Sequence, residues 1–325
     1  MPPLSSEFAL IKRYFQKPAP DGFLGVGDDC ALMPVPPGRH LVTATDLLLE
    51  NRHFLPDTRP FALGHKALAV NVSDLAAMGA VPLGCLLGLA LPAVDEAWLQ
   101  EFSAGFHAFA ELAGCPLVGG DTTRSGQGIV ISVTVMGHVD PALALRRDAA
   151  RPGDDIWVTG QLGAPDIALA LMQGRLPGNP ALLEATRPFL ETPIPPWKFA
   201  PLLCGVGHAA LDISDGLAQD LGHILQASQC GAELHYKWLP VHPALASLPT
   251  DVQRHAVLAG GDVYQLCFTA APGQRQHILE VAAAERIQVS RVGTITRQPG
   301  LRVLDADGVP IPLERTGFDH FREGS

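Results

Sequence analysis

Aspartate residues stand beside Gly, Ser or Thr at the ends of apolar runs in five places along this chain. The five clusters are Gly27-Asp28-Asp29, Thr45-Asp46, Ser73-Asp74, Gly120-Asp121 and Asp212-Ile213-Ser214-Asp215-Gly216. Carboxylates held on tight turns repel one another unless a cation joins them, so any fold of this chain has to accommodate that charge. Oxygen ligands without paired Cys or His select Mg²⁺ or a similar ion, and Mg²⁺ in proteins usually also holds substrate phosphates. The pattern predicts a metal-dependent phosphoryl-transfer enzyme.

Length and composition indicate two globular domains with a large core. The chain has 325 residues, of which 47% are hydrophobic, and a domain commonly takes ~150 residues. The formal net charge of −10 argues against a nucleic-acid surface, which needs a basic stripe. It does not exclude phosphate ligands, because bound metal ions invert the local charge.

Nothing in the sequence predicts secretion or a membrane span. The N-terminal segment contains Lys12 and Arg13 but no long apolar region, and no apolar run reaches the ~18 residues that a spanning helix needs. Six cysteines are scattered without a CxxC pair, which is typical of free thiols in a reducing compartment. We therefore expect a cytoplasmic protein.

Apolar spacing predicts strands and helices that alternate along the chain, which favours α/β layers. Strands are expected at 41–45, 129–139, 156–159, 209–213, 264–269, 289–295 and 301–304, and helices at 8–15, 61–78, 95–112, 160–172, 217–227 and 274–284. The proline-rich stretch 177–196 is interpreted as a surface segment. A Pro/Gly/charge cluster at 146–154 marks the boundary between domains at 1–148 and 149–325.

The helix expected at 95–112 has the clearest pattern. Asp95 is suited to cap its first turn, and Gly114 to follow its last residue. Its apolar stripe consists of Trp98, Phe102, Phe106, Phe109 and Leu112. Such a stripe is more typical of a core than of a ligand site.

Three of the acidic clusters favour a ligand over packing. Asp74 interrupts an apolar helical run, and a buried carboxylate costs several kcal/mol unless it is paired or metal-bound. Gly119-Gly120-Asp121 offers flexible backbone N–H groups beside a carboxylate, as phosphate and metal sites do. Asp212 and Asp215 lie between a strand and a helix, where N–H groups can face a phosphate. Each cluster by itself also fits an ordinary turn or a helix cap.

Missing motifs exclude several enzyme classes. The chain has no GxxxxGK[ST] loop, no HRD or DFG sequence, no GxSxG elbow and no HExxH. It is therefore not predicted to be a P-loop enzyme, a protein kinase, a hydrolase with a nucleophile elbow or a zinc protease.

Taken together, the acidic motifs resemble those of the thiamine-monophosphate kinase family. That family belongs to the superfamily of aminoimidazole-ribonucleotide synthetase and selenophosphate synthetase. The matching stretches are 25–31 (GVGDDCA), 45–46, 53–54, 66–80 (KALAVNVSDLAAMGA), 118–123 (VGGDTT), 211–217 (LDISDGL) and 317–321 (GFDHF). The resemblance runs nearly end to end, and stretches 66–80 and 317–321 look like the thiamine-monophosphate branch.

The resemblance implies the two-domain α/β (α+β) fold of that superfamily. Domain 1–148 would bind ATP and Mg²⁺ and would pair its sheet with that of a second copy, giving a homodimer, and domain 149–325 would be an α/β domain. The implied reaction is ATP-dependent phosphorylation of thiamine monophosphate to thiamine diphosphate. Neither a nucleic acid nor a membrane is an expected partner.

The resemblance also implies roles for matching residues. Several Mg²⁺ ions would be bound by Asp29, Thr45, Asp46, Asp74, Asp121, Asp212 and Asp215. ATP would be contacted by Gly120, Asp121, Arg147 and Ser214, of which Asp121 and Arg147 would be catalytic. The thiamine substrate would be contacted by His53, Asp262 and Phe318. The chain departs from the family at Ala44, where a hydroxyl residue is usual, and at Asp262-Val263, where Glu-Asp is usual.

Charge suggests how such a reaction would be catalysed. ATP and the acceptor monophosphate are both anions, so positioning and electrostatic neutralisation would carry catalysis, without a covalent enzyme intermediate. Two alternatives remain open. One is another ATP-dependent synthetase or cyclo-ligase of the same superfamily, and the other is a non-enzymatic metal-binding module, which would leave Gly119-Gly120 and Arg147 unexplained.

Overall fold

A computed structural model describes residues 7–313 and 317–318, so residues 319–321 of the GFDHF stretch lie outside the described residues. The chain divides into two compact units. The first comprises the residues up to Leu75 together with Ala80–Ala142, and the second comprises Ala76–Gly79 and the residues from Leu143 onward. The functions assigned to domains 1–148 and 149–325 stay predictions. None of the described helices is long and apolar enough to cross a membrane.

The first unit is built on a four-stranded mixed sheet. Its elements are α1 (Glu7–Tyr14), β1 (His40–Leu49), α2 (Pro60–Ala77, of which the residues to Leu75 belong here), β2 (Val81–Leu91), α3 (Glu96–Ala113), β3 (Leu117–Arg124) and β4 (Val130–Val139). The strand order is β1-β4-β2-β3. Strand β4 pairs antiparallel with β1 and β2, while β2 and β3 are parallel.

The two faces of this sheet differ. Ile131, Val133 and Val135 alternate along β4 and are fully buried, as the sequence predicts. Leu75 of α2 reaches the same face beside Gly137. On the opposite face, Leu47 of β1 is 57% exposed. One face therefore packs on the core, and the other presents apolar side chains to the surface.

Helix α3 supplies the centre of the core in this unit. Asp95 caps it by accepting hydrogen bonds from the N–H groups of Ala97 (2.9 Å) and Trp98 (3.1 Å), and Gly114 ends it with φ +64°. Both caps are confirmed. The predicted core stripe is confirmed at its centre, because Phe102, Phe106 and Phe109 are fully buried. Leu112, at the C-terminal end of the stripe, is 49% exposed instead.

The second unit contains a six-stranded sheet with the order β10-β7-β9-β5-β8-β6. Its elements are β5 (Asp155–Thr159), α4 (Ala164–Met172), α5 (Pro180–Glu191), β6 (Gly207–Asp212), α6 (Leu217–Ala227), β7 (Gly231–His235), α7 (Thr250–Leu258), β8 (Leu266–Ala270), α8 (Arg275–Ala284), β9 (Val289–Thr296) and β10 (Gly300–Leu304). Only β10 and β7 pair in parallel among these strands. The core joins Ile156, Leu211 and Leu221 of β5, β6 and α6. The α/β class is confirmed in both units.

Four elements do not follow from the apolar spacing. Strand β2 (VPLGCLLGLAL) is apolar on both faces, so it shows no alternation, and the short β7 and α7 show little periodicity. Strand β3 contains Gly119-Gly120, whose backbone is expected to be flexible, and parallel pairing with β2 makes this stretch a strand. Gly120 fits there because a Cβ would lie 2.0 Å from the carbonyl oxygen of Leu87.

Two further expectations are wrong. The stretch interpreted as a proline-rich surface segment contains α5, which begins because the Asn179 side chain accepts a hydrogen bond from Leu182 N (3.1 Å) and Pro180 suits a first turn. Leu182 and Leu190 are buried. Strand β1 continues to Leu49, so Asp46 lies within the strand and not at its end.

Helices α2 and α3 cross at Gly64 and Gly105, which allow the two backbones to approach closely. A Cβ on Gly105 would lie 1.9 Å from the carbonyl oxygen of Phe61. We predict that Gly105→Ala lowers the free energy of unfolding by about 2 kcal/mol or more, because the clash outweighs the ~1 kcal/mol gain in helix propensity. Gly126→Ala is the matched control, since no atom lies within 4 Å of its Cβ. Equal denaturant midpoints for the two variants would contradict the predicted crossing.

Candidate active site

In the first unit, a buried amide on α2 holds the backbone of β1 at the predicted metal ligand Asp46. The backbone N–H of Asp46 donates to Oδ1 of Asn71 (3.0 Å), and Nδ2 of Asn71 donates to the carbonyl oxygen of Ala67 (3.0 Å). Asn71 is fully buried, and these bonds account for a polar residue in an apolar run. Asp74 lies three residues further along α2 and therefore on the same side of the helix. The hydrogen bond of Asn71 thus joins α2, the helix that carries Asp74, to β1 at Asp46.

Partial burial leaves Asp46 with an unfavourable charge. Its side chain is half-buried, and desolvation raises the pKa of its carboxyl group. A bound cation would offset that cost. The carboxylate therefore has the chemistry that a Mg²⁺ ligand requires.

Thr45 lies on the other face of β1. Its hydroxyl donates to the carbonyl oxygen of Val133 (3.0 Å) and accepts from the hydroxyl of Thr134 (3.0 Å). Ala44 shares the face of Asp46, because side chains alternate along a strand. The Thr45 hydroxyl is thus directed away from Asp46.

The predicted ligands Asp29 and Asp121 lie on exposed parts of the first unit. Backbone bonds between Leu24 and Leu32 (2.9 and 3.0 Å) close a compact loop, which carries Asp28 and Asp29 exposed to solvent. Asp121 is exposed on β3. In the register of the sheet, Asp121 is paired with Gly88, Gly88 with Ser132, and Ser132 with Leu47. Paired residues point to the same face, and Leu47 is the neighbour of Asp46 along β1. Asp121 and Asp46 therefore face opposite sides of the sheet.

Gly120 and Asp121 line a small open cleft. Its remaining walls are mostly apolar and are formed by Ile11, Phe15, Val26, Leu87, Leu117, Gly119 and Thr122. Apolar walls with a few polar groups are common in ligand sites.

His53 lies in the turn that follows β1. Its Nδ1 accepts a hydrogen bond from the backbone N–H of Leu49 (3.0 Å). A neutral imidazole that accepts at Nδ1 carries its proton on Nε2. The neutral ring of His53 therefore acts as an acceptor at Nδ1 and as a donor at Nε2.

In the second unit, the loop between β6 and α6 is organised by Asp220, a residue that the sequence patterns do not single out. One oxygen of this buried carboxylate, Oδ2, accepts from the N–H groups of Ser214, Asp215 and Gly216, each at 3.0 Å. The expectation that these N–H groups face a phosphate is wrong, because the Asp220 carboxylate occupies the position that an anion would take.

The negative charges of Asp215 and Asp212 act on Asp220 at this loop. Burial, and then the charge of Asp215, raise the pKa of Asp220 to about 7, with a smaller contribution from Asp212. Hydrogen bonds from the backbone N–H groups of Gly216 and Asp215 act in the opposite direction. Asp212 itself is 6% exposed. The loop therefore concentrates acidic groups that a cation would stabilise.

The carbonyl groups of the same loop bind two other segments. The oxygen of Ser214 accepts from Asp262 N (2.8 Å), that of Ile213 from Tyr264 N (2.7 Å) and that of Asp215 from Phe318 N (3.0 Å). Both Asp262 (φ +60°) and Tyr264 (φ +50°) adopt the left-handed conformation, and the Tyr264 hydroxyl donates to Oδ1 of Asp262 (3.0 Å). Four predicted site residues thus meet at one place: Ser214, Asp215, Asp262 and Phe318.

Arg147 lies apart from this place. It begins the short 3₁₀ turn Arg147–Ala149, and its carbonyl oxygen accepts from the hydroxyl of Ser228 (2.8 Å) at the C-terminal end of α6. The Ser214–Gly216 loop precedes that helix, whose length is about 16 Å at 1.5 Å per residue. The side chain of Arg147 is exposed and has no hydrogen-bond acceptor among the described residues.

Among the residues that the structure describes, no three His, Cys, Asp or Glu side chains are grouped closely enough to hold a metal ion. Mg²⁺ does not need such a group, because it is commonly bound through one or two carboxylates plus waters and substrate phosphates. The half-buried Asp46 and the crowded Asp212–Asp215 loop fit that mode of binding. The oxygen-only donor set also fits Mg²⁺.

Comparison with known proteins places the chain among its relatives. The model of the AIR synthase related protein N-terminal domain matches residues 27–139, and that of the C-terminal domain matches residues 151–306. The thiamine-monophosphate kinase of Escherichia coli O157:H7 is 40% identical over 324 residues, which cover 97% of this chain and 98% of that protein.

Solved structures agree with these matches. The crystal structure of thiamine-monophosphate kinase from Stenotrophomonas maltophilia K279a has a TM-score of 0.83 and 42% identity, covering 90% of this chain and 93% of that chain. The structure described as AaThiL complexed with AMPPCP and TMP has a TM-score of 0.77 and 28% identity, covering 89% and 90%.

The two-unit fold and its acidic loops are thus those of an AIR synthase related protein. Within that class, the chain belongs to the thiamine-monophosphate kinase family, since it is 40% identical to a member over nearly the full length of both chains. The family predicted from the acidic motifs is confirmed. The roles of individual residues stay predictions.

The environment of Asp220 gives a prediction about stability. Asp220→Ala should lower the free energy of unfolding by about 2–4 kcal/mol, because three buried N–H groups lose their acceptor. Asp220→Asn keeps an acceptor oxygen and should lose less. Asp251→Asn is the control, since Asp251 occupies the first turn of α7 and is exposed.

The same group predicts a dependence of stability on pH. The pKa of Asp220 is about 7 in the folded chain against 3.8 as the ordinary value, so its contribution is full below the ordinary value and is lost as the pH rises through 7. In metal-free buffer, the wild type should therefore lose stability relative to Asp220→Asn between about pH 4 and pH 7, with little further change above about pH 8. Parallel curves from chemical denaturation would contradict the raised pKa.

Proposed function

We propose that this chain transfers the γ-phosphoryl group of ATP to thiamine monophosphate and forms thiamine diphosphate and ADP. The observation that carries the proposal is the meeting of Ser214, Asp215, Asp262 and Phe318 at one loop. Asp215 offers a carboxylate to a metal–phosphate group. Beside it, Asp262 offers a carboxylate and Phe318 an aromatic ring, which suit a cationic heterocycle. Membership of the kinase family and the complex of a relative with AMPPCP and TMP support the same reaction.

Several Mg²⁺ ions complete the site in this proposal. Their ligands would be drawn from Asp29, Asp46, Asp74, Asp121, Asp212, Asp215 and Thr45, the last of which would have to bind through its backbone, because its hydroxyl is engaged on the other face of β1. Bound Mg²⁺ supplies positive charge that offsets the repulsion between two phosphate groups.

ATP is proposed to use Gly120, Asp121, Arg147 and Ser214. The cleft beside Gly120 and Asp121 has an apolar wall that suits a nucleobase. The exposed guanidinium of Arg147 can bind phosphate oxygens with its planar donor fork. A phosphate monoester is largely ionised near neutral pH, so the acceptor oxygen needs no strong general base.

The thiamine end is proposed to use His53, Asp262 and Phe318. His53 would orient the substrate as a hydrogen-bond donor, since its Nδ1 is already an acceptor for Leu49. The carboxylate of Asp262 suits the positive charge of the thiazolium ring. Phe318 would stack on a ring of the substrate, a contact worth ~0.5–2 kcal/mol when the ring is cationic.

An ATP-consumption assay tests the reaction directly. We expect ADP release with thiamine monophosphate and Mg²⁺, and none with thiamine or with an aminoimidazole precursor. ADP release with the aminoimidazole precursor alone would favour a synthetase or cyclo-ligase. Metal binding without any ATP turnover would favour a non-enzymatic metal-binding module.

Asp46→Asn or Asp74→Asn should reduce turnover at least ~100-fold while leaving the fold intact, because each change removes one carboxylate and little packing volume. Added Mg²⁺ should restore little activity. Asp57→Asn, at an exposed position of the same unit, serves as the control. Thermal melting and ADP release measured on all three variants check this, and near-normal turnover in both site variants would refute the metal assignment.

We also propose that the chain acts in the cytoplasm as a homodimer formed through the exposed face of the first sheet. Six free cysteines suit a reducing compartment. Leu41, Leu47 and Leu49 of β1 are 53%, 57% and 39% exposed along that face. The same face of β4 is mixed, with Ser132 and Thr134 between Val130 and Met136.

Leu47→Lys should convert the dimer to a monomer, because a charge would be buried among the exposed leucines of β1. Leu112→Lys, which changes an exposed leucine on α3, should leave the assembly unchanged. Light scattering at micromolar concentration distinguishes the two species. A fully active wild-type monomer would contradict the proposed dimer.

A further inference from the structure

Gln219, in the first turn of α6, connects a predicted metal ligand with a predicted substrate residue. Its Nε2 donates to the carbonyl oxygen of Phe318 (2.7 Å) and to Oδ2 of Asp215 (3.2 Å). A primary amide carries two N–H groups, so both bonds can exist at once. One side chain therefore contacts the carboxylate of Asp215 and the backbone carbonyl group of Phe318.

The segment of Gly317 and Phe318 lies directly against this residue. A Cβ on Gly317 would approach both Cβ of Gln219 and the carbonyl oxygen of Asp215 to 2.7 Å. Phe318 N donates to that same oxygen of Asp215 (3.0 Å). The segment is thus held by one backbone bond to Asp215 and one side-chain bond to Gln219.

The chemistry of this position suits an amide. A carboxylate here would be repelled by Asp215 and by the Phe318 carbonyl group, and an apolar side chain would donate to neither. Negative charge is already concentrated at this loop, since the charges of Asp215 and Asp212 help to raise the pKa of Asp220. A neutral donor can orient the Asp215 carboxylate without adding charge.

We propose that Gln219 is a positioning residue that couples the Asp215 carboxylate to Phe318, so that the metal–phosphate side and the ring-binding side of the site are held in one arrangement. This inference rests on the proposed function for the nature of the ligand. Gln219 itself contacts neither phosphate nor ring in the proposal. Its effect on the thiamine substrate is transmitted through the side chain of Phe318.

A double-mutant cycle tests the coupling. Gln219→Ala, Phe318→Ala and the double variant are compared with wild type by calorimetric titration of thiamine monophosphate and Mg²⁺ in the absence of ATP. Gln226→Ala is the matched control, because Gln226 is exposed on the same helix. Hydrogen exchange of the backbone amides of Gly317 and Phe318 is measured on the same proteins.

Gln219→Ala should weaken binding of thiamine monophosphate about tenfold when Phe318 is present, and should add little in the Phe318→Ala background, because the two residues act in series. The amide of Phe318 should exchange at least ~10-fold faster in Gln219→Ala, while melting temperature and exchange in β6 stay near wild type. The control should match wild type throughout.

Additive losses in the double variant, or unchanged affinity in Gln219→Ala, would refute the coupling. Gln219→Glu gives an independent check, since it keeps the size of the side chain but should weaken binding at least as much as Gln219→Ala. If wild type binds no thiamine monophosphate, the proposed function fails, and the exchange rate of the Phe318 amide then decides alone. An unchanged rate refutes the positioning role, whereas a faster rate supports it.

Discussion

The arrangement of the second unit depends on one oxygen atom of Asp220 that accepts three consecutive backbone N–H groups. A buried carboxylate costs several kcal/mol unless it is hydrogen-bonded or paired, and the N–H groups of Ser214, Asp215 and Gly216 meet that need. With its N–H groups turned inward, the loop presents its carbonyl oxygens to Asp262, Tyr264 and Phe318. The distant segments at 262–264 and 317–318 are thereby fixed at the same loop.

A comparable device operates in the first unit. Asn71 is buried within α2 and uses its amide to hold the backbone of Asp46 on β1. In both units, a buried polar side chain forms its hydrogen bonds with backbone groups, at or beside acidic residues. Both arrangements show that a polar residue inside an apolar run can be structural and still define a site.

In neither unit are the acidic side chains of the described residues joined into a closed metal cage. Full cages suit Ca²⁺, whereas Mg²⁺ keeps waters and commonly binds phosphate oxygens as part of its shell. A site of this kind is incomplete without its phosphate ligands, which links metal binding to substrate binding. Burial raises the pKa of Asp46, and burial together with the charge of Asp215 raises the pKa of Asp220, so a nearby cation would favour the ionised form of either group.

The sequence by itself determined the family, the α/β class, the caps of α3 and the aromatic core of the first unit. These features depend on local spacing and on contiguous motifs, such as Asp95 before an apolar helix. The tertiary structure alone decided that β2 and β3 are strands, because their pairing joins residues distant in the chain. It also decided that Asp46 and Asp121 face opposite sides of one sheet.

Only the tertiary structure revealed Asp220 and Gln219 as hydrogen-bond partners of predicted site residues. Both lie in an ordinary amphipathic helix, where an acidic residue in the first turn is common, so no sequence pattern distinguishes them. Their roles arise from hydrogen bonds to the preceding loop and to a segment about a hundred residues further along the chain. Motif spacing reports which residues can perform the chemistry, whereas long-range backbone hydrogen bonds decide which of them meet.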